Sequence, residues 1–397
     1  MRSKKTIKPF FALAMGVVTM FSMSACDFAL KNGSNNGSES STMEVLISES
    51  DMITMTEFDK PVSLLPFSVS NYLAAEPDEL VTLFLPGGTT RYDKGEPVVI
   101  EYSFGRLENA EIVEEKLEVS SKKDFSDVVQ TLYFQPRQNS VAIYNLQPGA
   151  TYYYRVVVTL NNGEKHVKTA SLQTEHSLRF IALDGACNVR DIGGWKTEDG
   201  KTVRQGLLYR GSEIDGGKNK GHEDFCLTEK GIEQLRSLGI KTDFDLRSSS
   251  NKVGEYSILG KDVARTFYNA PQYESYLNPS NKETVRKIFS DFAKPESYPI
   301  YLHCTHGVDR AGSTALLLES LLGVAKEDLI RDYELSAFYY NYAHVNRNVI
   351  TDGNVLLLLE GLEKFEGETL AEKTESFLLS VGVTKLEISS IRSIFLD

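Results

Sequence analysis

The stretch "YPIYLHCTHGVDRAGSTALLLESLLGV", residues 298–324, carries one cysteine, Cys304, between a short apolar run and a loop with Asp309 and Arg310. The run "YPIYLHC" is entered through Pro299 and reads as a strand. "AGSTALLLESLLG" has helical spacing and Gly323 as its stop signal. A short loop closing onto a helix N-terminus points several backbone N–H groups into one concavity, and the helix dipole adds partial positive charge. Gly307 permits backbone angles that a side chain would hinder. A phosphoryl dianion fits such a nest, and Arg310 can hold two of its oxygens in a fork. The same field stabilises a thiolate at Cys304. In-line attack by that sulfur on phosphorus would give a phosphocysteine, which water then hydrolyses.

Taken alone, a Cys-x5-Arg pattern is a weak signal, with ~0.2 accidental hits expected in a chain of this composition. Cys26, Cys187 and Cys226 lack an arginine at that spacing, so Cys304 alone combines it with a strand, a loop and a helix. The loop residues Thr305, His306, Gly307 and Val308 are expected to surround the phosphate, with His303 ordering the backbone or donating a hydrogen bond. A leaving oxygen needs a proton from a nearby carboxylic acid. Asp309 in the loop is the first candidate, followed by Asp245 in "DFDLR" and Asp191 in "NVRDIGGW". The competing reading of these aspartates is structural, as caps or as partners for Arg190 and Arg247.

"HCTHGVDRAGS", residues 303–313, resembles the phosphate-binding loop of the protein tyrosine phosphatase superfamily. It is more closely similar to bacterial tyrosine and phosphoinositide phosphatases, whose loop reads His-Cys-x-x-Gly-Lys-Asp-Arg-Thr-Gly. That family's upstream Asn-Phe-Arg-Asp-Leu-Gly-Gly is matched by "NVRDIGG" at 188–194, its "LYRS"-like segment by "LYRGS" from Leu208, and its Asp-Leu-Arg by Asp245, Leu246 and Arg247. The resemblance spans about residues 178–338 in the family's order. It implies Cys304 as nucleophile, Arg310 as phosphate ligand and Asp309 in acid/base work, with Asp191, Asp245 and Arg247 near the substrate. It implies a protein-tyrosine or dual-specificity phosphatase acting on a phosphorylated protein or small phosphomonoester. The alternatives are a phosphoinositide or inositol-phosphate phosphatase and a catalytically weak phospho-ligand-binding protein. No metal or cofactor is expected, because the nest and Arg310 supply the positive field. Two departures predict a slower enzyme with less preference for phosphoinositides: Val308 stands where the family has Lys, and Ala311 where it has a hydroxyl residue.

Outward from this site, residues 176–397 alternate strand-like and helical patterns ("LRFIAL", "LTEKGIEQLRSLGI", "KTDFDLRS"). They predict an α/β phosphatase-like domain with a mostly parallel central sheet flanked by helices. Residues 79–175 contain short segments rich in Val, Ile, Thr and Tyr with turn residues between them, as in a β-sandwich. Within them "NLQPGATYYYRVVV", residues 145–158, resembles the corner of a fibronectin type III domain, in which a Tyr hydroxyl bonds back to the preceding connection. Such a module implies protein or glycan contact rather than chemistry. Residues 43–78 carry no interpretable motif.

The N-terminus reads as targeting. Four basic residues precede the uncharged stretch "PFFALAMGVVTMFSM", too short to span a bilayer, which ends in "SAC" at Cys26. Residues 1–26 resemble a bacterial lipoprotein signal with Cys26 as the lipidated residue, and 27–42 read as a flexible tether. The expectation is an extracytoplasmic, membrane-anchored lipoprotein of the bacterial envelope. A net charge of -12 argues against nucleic acid as a partner.

Overall fold

The computed structural model describes residues 49–87, 91–106, 109–217, 224–251, 253–339, 344–349 and 354–397. The signal segment, Cys26 and the tether lie outside the described residues. Residues 47–397 form one unit, and no helix among the described residues is long and apolar enough to cross a membrane.

Seven strands build a two-sheet sandwich. One sheet joins β1 (Ile53–Met55), β2 (Val98–Phe104) and β5 (Ser140–Ile143); the other has the order β4 (Val128–Tyr133), β3 (Ile112–Ser120), β6 (Thr151–Leu160), β7 (Lys165–Gln173). All pairings are antiparallel. Along β2 the side chains alternate, with Val98, Ile100 and Tyr102 buried and Val99, Glu101 and Ser103 exposed, so the period-2 pattern marks the core face. The Tyr152 hydroxyl accepts the Gln147 amide at 2.9 Å, the backward bond expected of the "NLQPGATYYY" corner.

The expected start at residue 79 misses β1. That strand has three residues, too few to show alternation, yet it pairs with β2 at Ile53–Phe104 and Met55–Tyr102. The described residues 65–87 and 91–95 lie outside the sandwich. Their base is closed by the Glu96 amide on the Leu64 carbonyl at 2.9 Å. This strap contains α1 (Phe67–Ala74) and a 3-10 turn, Val81–Leu83, and it buries Val69, Tyr72 and Val81 in the core of the α/β region.

The α/β region is built on a five-stranded sheet of order β11 (Ala264–Phe267), β10 (Thr242–Asp245), β12 (Ile300–His303), β9 (Leu208–Gly211), β8 (Arg190–Asp191). The first three pairings in that order are parallel, and β8 is an antiparallel edge. Around it lie α2 (Glu229–Ser237), α3 (Lys282–Phe292), α4 (Asp309–Leu322), α5 (Lys326–Glu334), α6 (Val355–Leu362), α7 (Leu370–Ser380) and α8 (Lys385–Phe395). Local signals fix α2 closely: the Thr228 side chain caps the Gly231 amide, and Gly239 turns the chain with φ 75°. From Ala311 to Leu322 every residue of α4 is buried, the polar Ser313, Thr314, Glu319 and Ser320 along with the apolar ones. "LRFIAL" departs from expectation: it makes only an isolated bridge, Phe180 to Arg190. Its other side is taken by the Asn145 side chain, which bonds both the amide and the carbonyl of Ala182 at 2.7 and 3.0 Å.

Candidate active site

Strand β12 ends at His303, and α4 begins at Asp309, so Cys304 to Val308 turn in five residues at the carboxyl end of the central strand. Gly307 makes the turn with φ 73°, and a Cβ there would lie 2.5 Å from the Gly211 backbone, so both conformation and contact demand glycine. Each carbonyl of the turn is drawn outward. His303 O accepts from the Leu246 amide, Thr305 O from the Glu213 amide and Val308 O from the Gly312 amide, at 2.9, 3.0 and 2.8 Å. Cys304 O meets His303 Nδ1 at 3.3 Å, His306 O accepts Asn188 Nδ2 at 3.1 Å, and Gly307 O accepts the Arg210 guanidinium at 2.9 Å. A trans peptide sends its N–H opposite to its C=O, so the amides face the other way. Those of Thr305, Gly307, Val308, Asp309 and Arg310 have no acceptor among the described residues. These amides share one side of the turn, and Cys304 at its start is 1% exposed.

Beneath the turn lies a layer of buried arginines. Arg190 and Arg210 converge on Asp332, at 3.0 and 2.5 Å. Burial alone would raise the Asp332 carboxyl, but the two guanidinium groups outweigh it and hold it below its ordinary value. Arg247 bonds Glu213, Asp215 and Asp245 at 2.5, 3.0 and 2.7 Å. His303 Nε2 sits 2.8 Å from Asp243. Burial would lower this imidazole, but Asp245 and Asp243 outweigh burial and hold it above its ordinary value. When protonated, it donates from both nitrogens, to Asp243 and to the Cys304 carbonyl.

The mouth of the site differs. Arg310 is partly exposed, and its guanidinium has no hydrogen bond or ion pair among the described residues. Asp309, also partly exposed, accepts from the Tyr273 hydroxyl at 2.5 Å, and that hydroxyl lies 3.0 Å from the Tyr333 hydroxyl. A cavity of about 90 Å³ opens here, lined by Tyr273, His306, Val308, Asp309, Tyr333, His344 and Val345. Ser313 does not turn toward the sulfur: its hydroxyl donates to Asp309 O at 2.6 Å and accepts the Tyr273 amide at 2.7 Å.

The structure thus brings Cys304, Asp309, Arg310, Thr305, His306, Gly307 and Val308 together, with His303 immediately below. It does not bring Asp191, Asp245 or Arg247 to the phosphate position. The Asp191 oxygens accept the Gly193 and Gly206 amides at 2.8 and 2.5 Å, which is a structural cap. Asp245 and Arg247 bond each other beneath the sheet end, and Arg247 is 0% exposed. Their motif marks the scaffold, because a buried arginine needs carboxylates at fixed spacing. The roles of Arg190 and Arg210 were visible only as matches within "NVRDIGG" and "LYRGS". Asp332 and Tyr273, far away in the chain, carried no local signal. Cys187 and Cys226 are free thiols, and no cluster of metal-ligating side chains occurs among the described residues.

A five-strand α/β body with an anion nest and a cysteine at the end of its central strand defines the class of protein. Residues 181–377 match the family model described as the tyrosine phosphatase family, and this region of the chain belongs to that family. A Cupriavidus necator protein provisionally named a tyrosine-protein phosphatase is 29% identical over 190 residues, 41% of this chain and 64% of its own length. A tyrosine-protein phosphatase of Nostoc commune is 27% identical over 135 residues, 28% of this chain and 46% of its own length. The chain therefore spans less than two thirds of either relative. Among solved structures, the sixth fibronectin type III domain of human fibronectin type III domain containing protein 3 aligns at a TM-score of 0.18 and 16% identity, over 31% of this chain and 92% of that one. A likeness at that score carries no argument.

Proposed function

We propose that the chain is a cysteine-dependent phosphomonoester hydrolase acting on phosphotyrosine-like substrates. The observation that carries this reading is the set of turn amides around Cys304, completed by the guanidinium of Arg310, none of which has a hydrogen-bond partner among the described residues. The amides and Arg310 hold the three non-bridging oxygens and the charge that builds on them. The Cys304 sulfur forms a bond to phosphorus as the bond to the leaving oxygen breaks, and Asp309 gives that oxygen its proton. The Asp309 carboxylate next takes a proton from water as the water oxygen attacks phosphorus, and the S–P bond breaks to release phosphate and thiolate. With Ala311 in place of a hydroxyl and Ser313 bonded elsewhere, nothing among the described contacts donates to the leaving sulfur, which favours slow turnover. The described cavity lining includes tyrosines, histidines and valines but no lysine or arginine, which favours an aryl monophosphate over a polyphosphorylated inositol.

The sandwich we read as a fibronectin type III-like module, on its two antiparallel sheets and the Tyr152 corner bond. The basic and apolar pattern before Cys26 supports lipidation there and an enzyme held outside the cytoplasm.

Hydrolysis of p-nitrophenyl phosphate across about pH 5 to 8 tests the reaction. Phosphate release by the unsubstituted chain and its loss in Cys304→Ser are expected. Absence of Cys304-dependent release, with phosphate still bound, would replace the enzyme with a phospho-ligand-binding protein.

A further inference from the structure

The matched family region begins at residue 181, yet a buried carboxylate from the strap holds Asn188, the residue that bonds the back of the Cys304–Val308 turn. Asp93 is 1% exposed, and its Oδ2 accepts the Asn188 amide at 2.6 Å. Asn188 stands in the left-handed region, φ 54°, which asparagine adopts more readily than most residues. Its side chain is fully engaged: Oδ1 accepts from Arg190 at 2.8 Å, and Nδ2 donates to the His306 carbonyl at 3.1 Å and to Ser336 at 3.2 Å. That carbonyl belongs to the His306–Gly307 peptide, whose N–H is one of the unpaired amides of the nest. Asp93 itself is fixed by Arg91, which bonds both of its oxygens at 2.9 Å, pairs with Asp224 and lies 4.9 Å from the Tyr339 ring centroid.

The strap is firmly seated. Tyr92 donates to the Phe338 carbonyl at 3.1 Å, Arg331 to Ala75 O at 2.5 Å and Arg347 to Pro77 O at 2.6 Å. An excursion of this length between two sandwich strands is far beyond an ordinary connection. We propose that Asp93 is a positioning residue for phosphate binding, acting through Asn188 on the His306–Gly307 peptide, so that the N-terminal part of the chain completes the catalytic site. The proposal rests on the phosphatase reading above, and it makes the site dependent on residues outside the family region.

The test uses the full chain and three variants. Asp93→Ala removes the bond from the Asn188 amide and both bonds from Arg91, and it is expected to raise the inhibition constant of inorganic phosphate and the KM for p-nitrophenyl phosphate about tenfold, with kcat changed less. Hydrogen exchange should also quicken in a peptide covering residues 303–311. Asp93→Asn keeps one acceptor for the Asn188 amide and should show a smaller rise, about threefold; it carries the test by itself if the alanine variant does not fold. Val69→Ala opens a cavity under α1, far along the strap, and should lower Tm while leaving the inhibition constant and the exchange of 303–311 unchanged. Asp93 variants that lower Tm without moving those two readouts would overturn the proposal. If the unsubstituted chain neither hydrolyses nor binds phosphate, the phosphatase reading fails separately. Exchange of 303–311 then decides alone: quickening supports the link through Asn188, and no change refutes it.

Discussion

The mouth and the underside of the Cys304–Val308 turn use the same residue type in opposite ways. Below the turn, Arg190, Arg210 and Arg247 are 1, 0 and 0% exposed, and each is held by carboxylates. Above it, Arg310 is partly open to solvent and has no partner among the described residues. A buried ion pair adds little net stability over an apolar replacement, but removing one member is costly because the other charge remains buried. Of the lower arginines, Arg210 therefore acts as a fixed strut for the Gly307 carbonyl, while Arg190 and Arg247 tie together the side chains around it. The upper one keeps its fork for a ligand, and its cost of desolvation is met only when an anion arrives.

The largest expected effect lies below. Asp332→Ala strips the carboxylate from two buried arginines at once, and a loss of about 3–5 kcal/mol in unfolding free energy is expected by chemical denaturation. Arg210 also holds the Gly307 carbonyl, so whatever enzyme remains folded should bind phosphate poorly. A loss below about 1 kcal/mol would mean that the lower layer is no strut.

The next effect belongs to the mouth and should have the opposite signature. Arg310→Ala is expected to lower kcat/KM by about 10²–10³ while stability changes by no more than about 1 kcal/mol, since no hydrogen bond or ion pair of the guanidinium among the described residues is lost. Arg310→Lys should recover only part of the rate, because an ammonium cannot grip two oxygens in a fork. A large loss of stability in Arg310→Ala would erase the contrast between the two layers.

How much of this was readable in the chain follows from the range of each interaction. Cys304, Gly307, Asp309 and Arg310 lie within seven residues, and the strand, turn and helix that place them are local, so the nest was legible. Helix α2 was legible for the same reason, through the Thr228 cap and Gly239. Asp191, Asp245 and Arg247 were found as residues but not as roles, because a carboxylate beside an arginine reads alike whether it faces substrate or scaffold. The partners that settle their roles are the Gly206 amide for Asp191 and Glu213 and Asp215 for Arg247. Asp332, Tyr273 and Asp93 reach the site from 28 residues after Cys304, from 31 before it and from beyond the sandwich strands. No periodicity encodes such contacts. The strap failed to register because its apolar residues answer to a core that begins more than 80 residues later, at Leu178.

The smallest of these effects separates the layers by pH. Burial raises the Asp191 carboxyl to about 6, outweighing the Gly206 and Gly193 amides and Arg179, which pull it down. In the unfolded chain the same group titrates near its ordinary ~3.9. Between those values the folded state binds more protons than the unfolded one, so this group makes stability fall as pH rises from about 4 to about 6, by roughly 2–3 kcal/mol in all. The carboxylates paired with arginine below the loop, Asp332, Asp215 and Asp245, are shifted the other way. Their contribution is lost as pH falls below about 4 and is common to any Asp191 variant. The difference in unfolding free energy between the unsubstituted chain and Asp191→Asn should therefore move against the unsubstituted chain across pH 4 to 6 and stay level above it. Because Asp191 caps two backbone amides and does not face the mouth, the acid limb of kcat/KM should keep its position in the variant. A pH-independent difference would contradict the buried, proton-holding role. A displaced acid limb would return Asp191 to the mouth and leave Asp309 without its place as the proton donor.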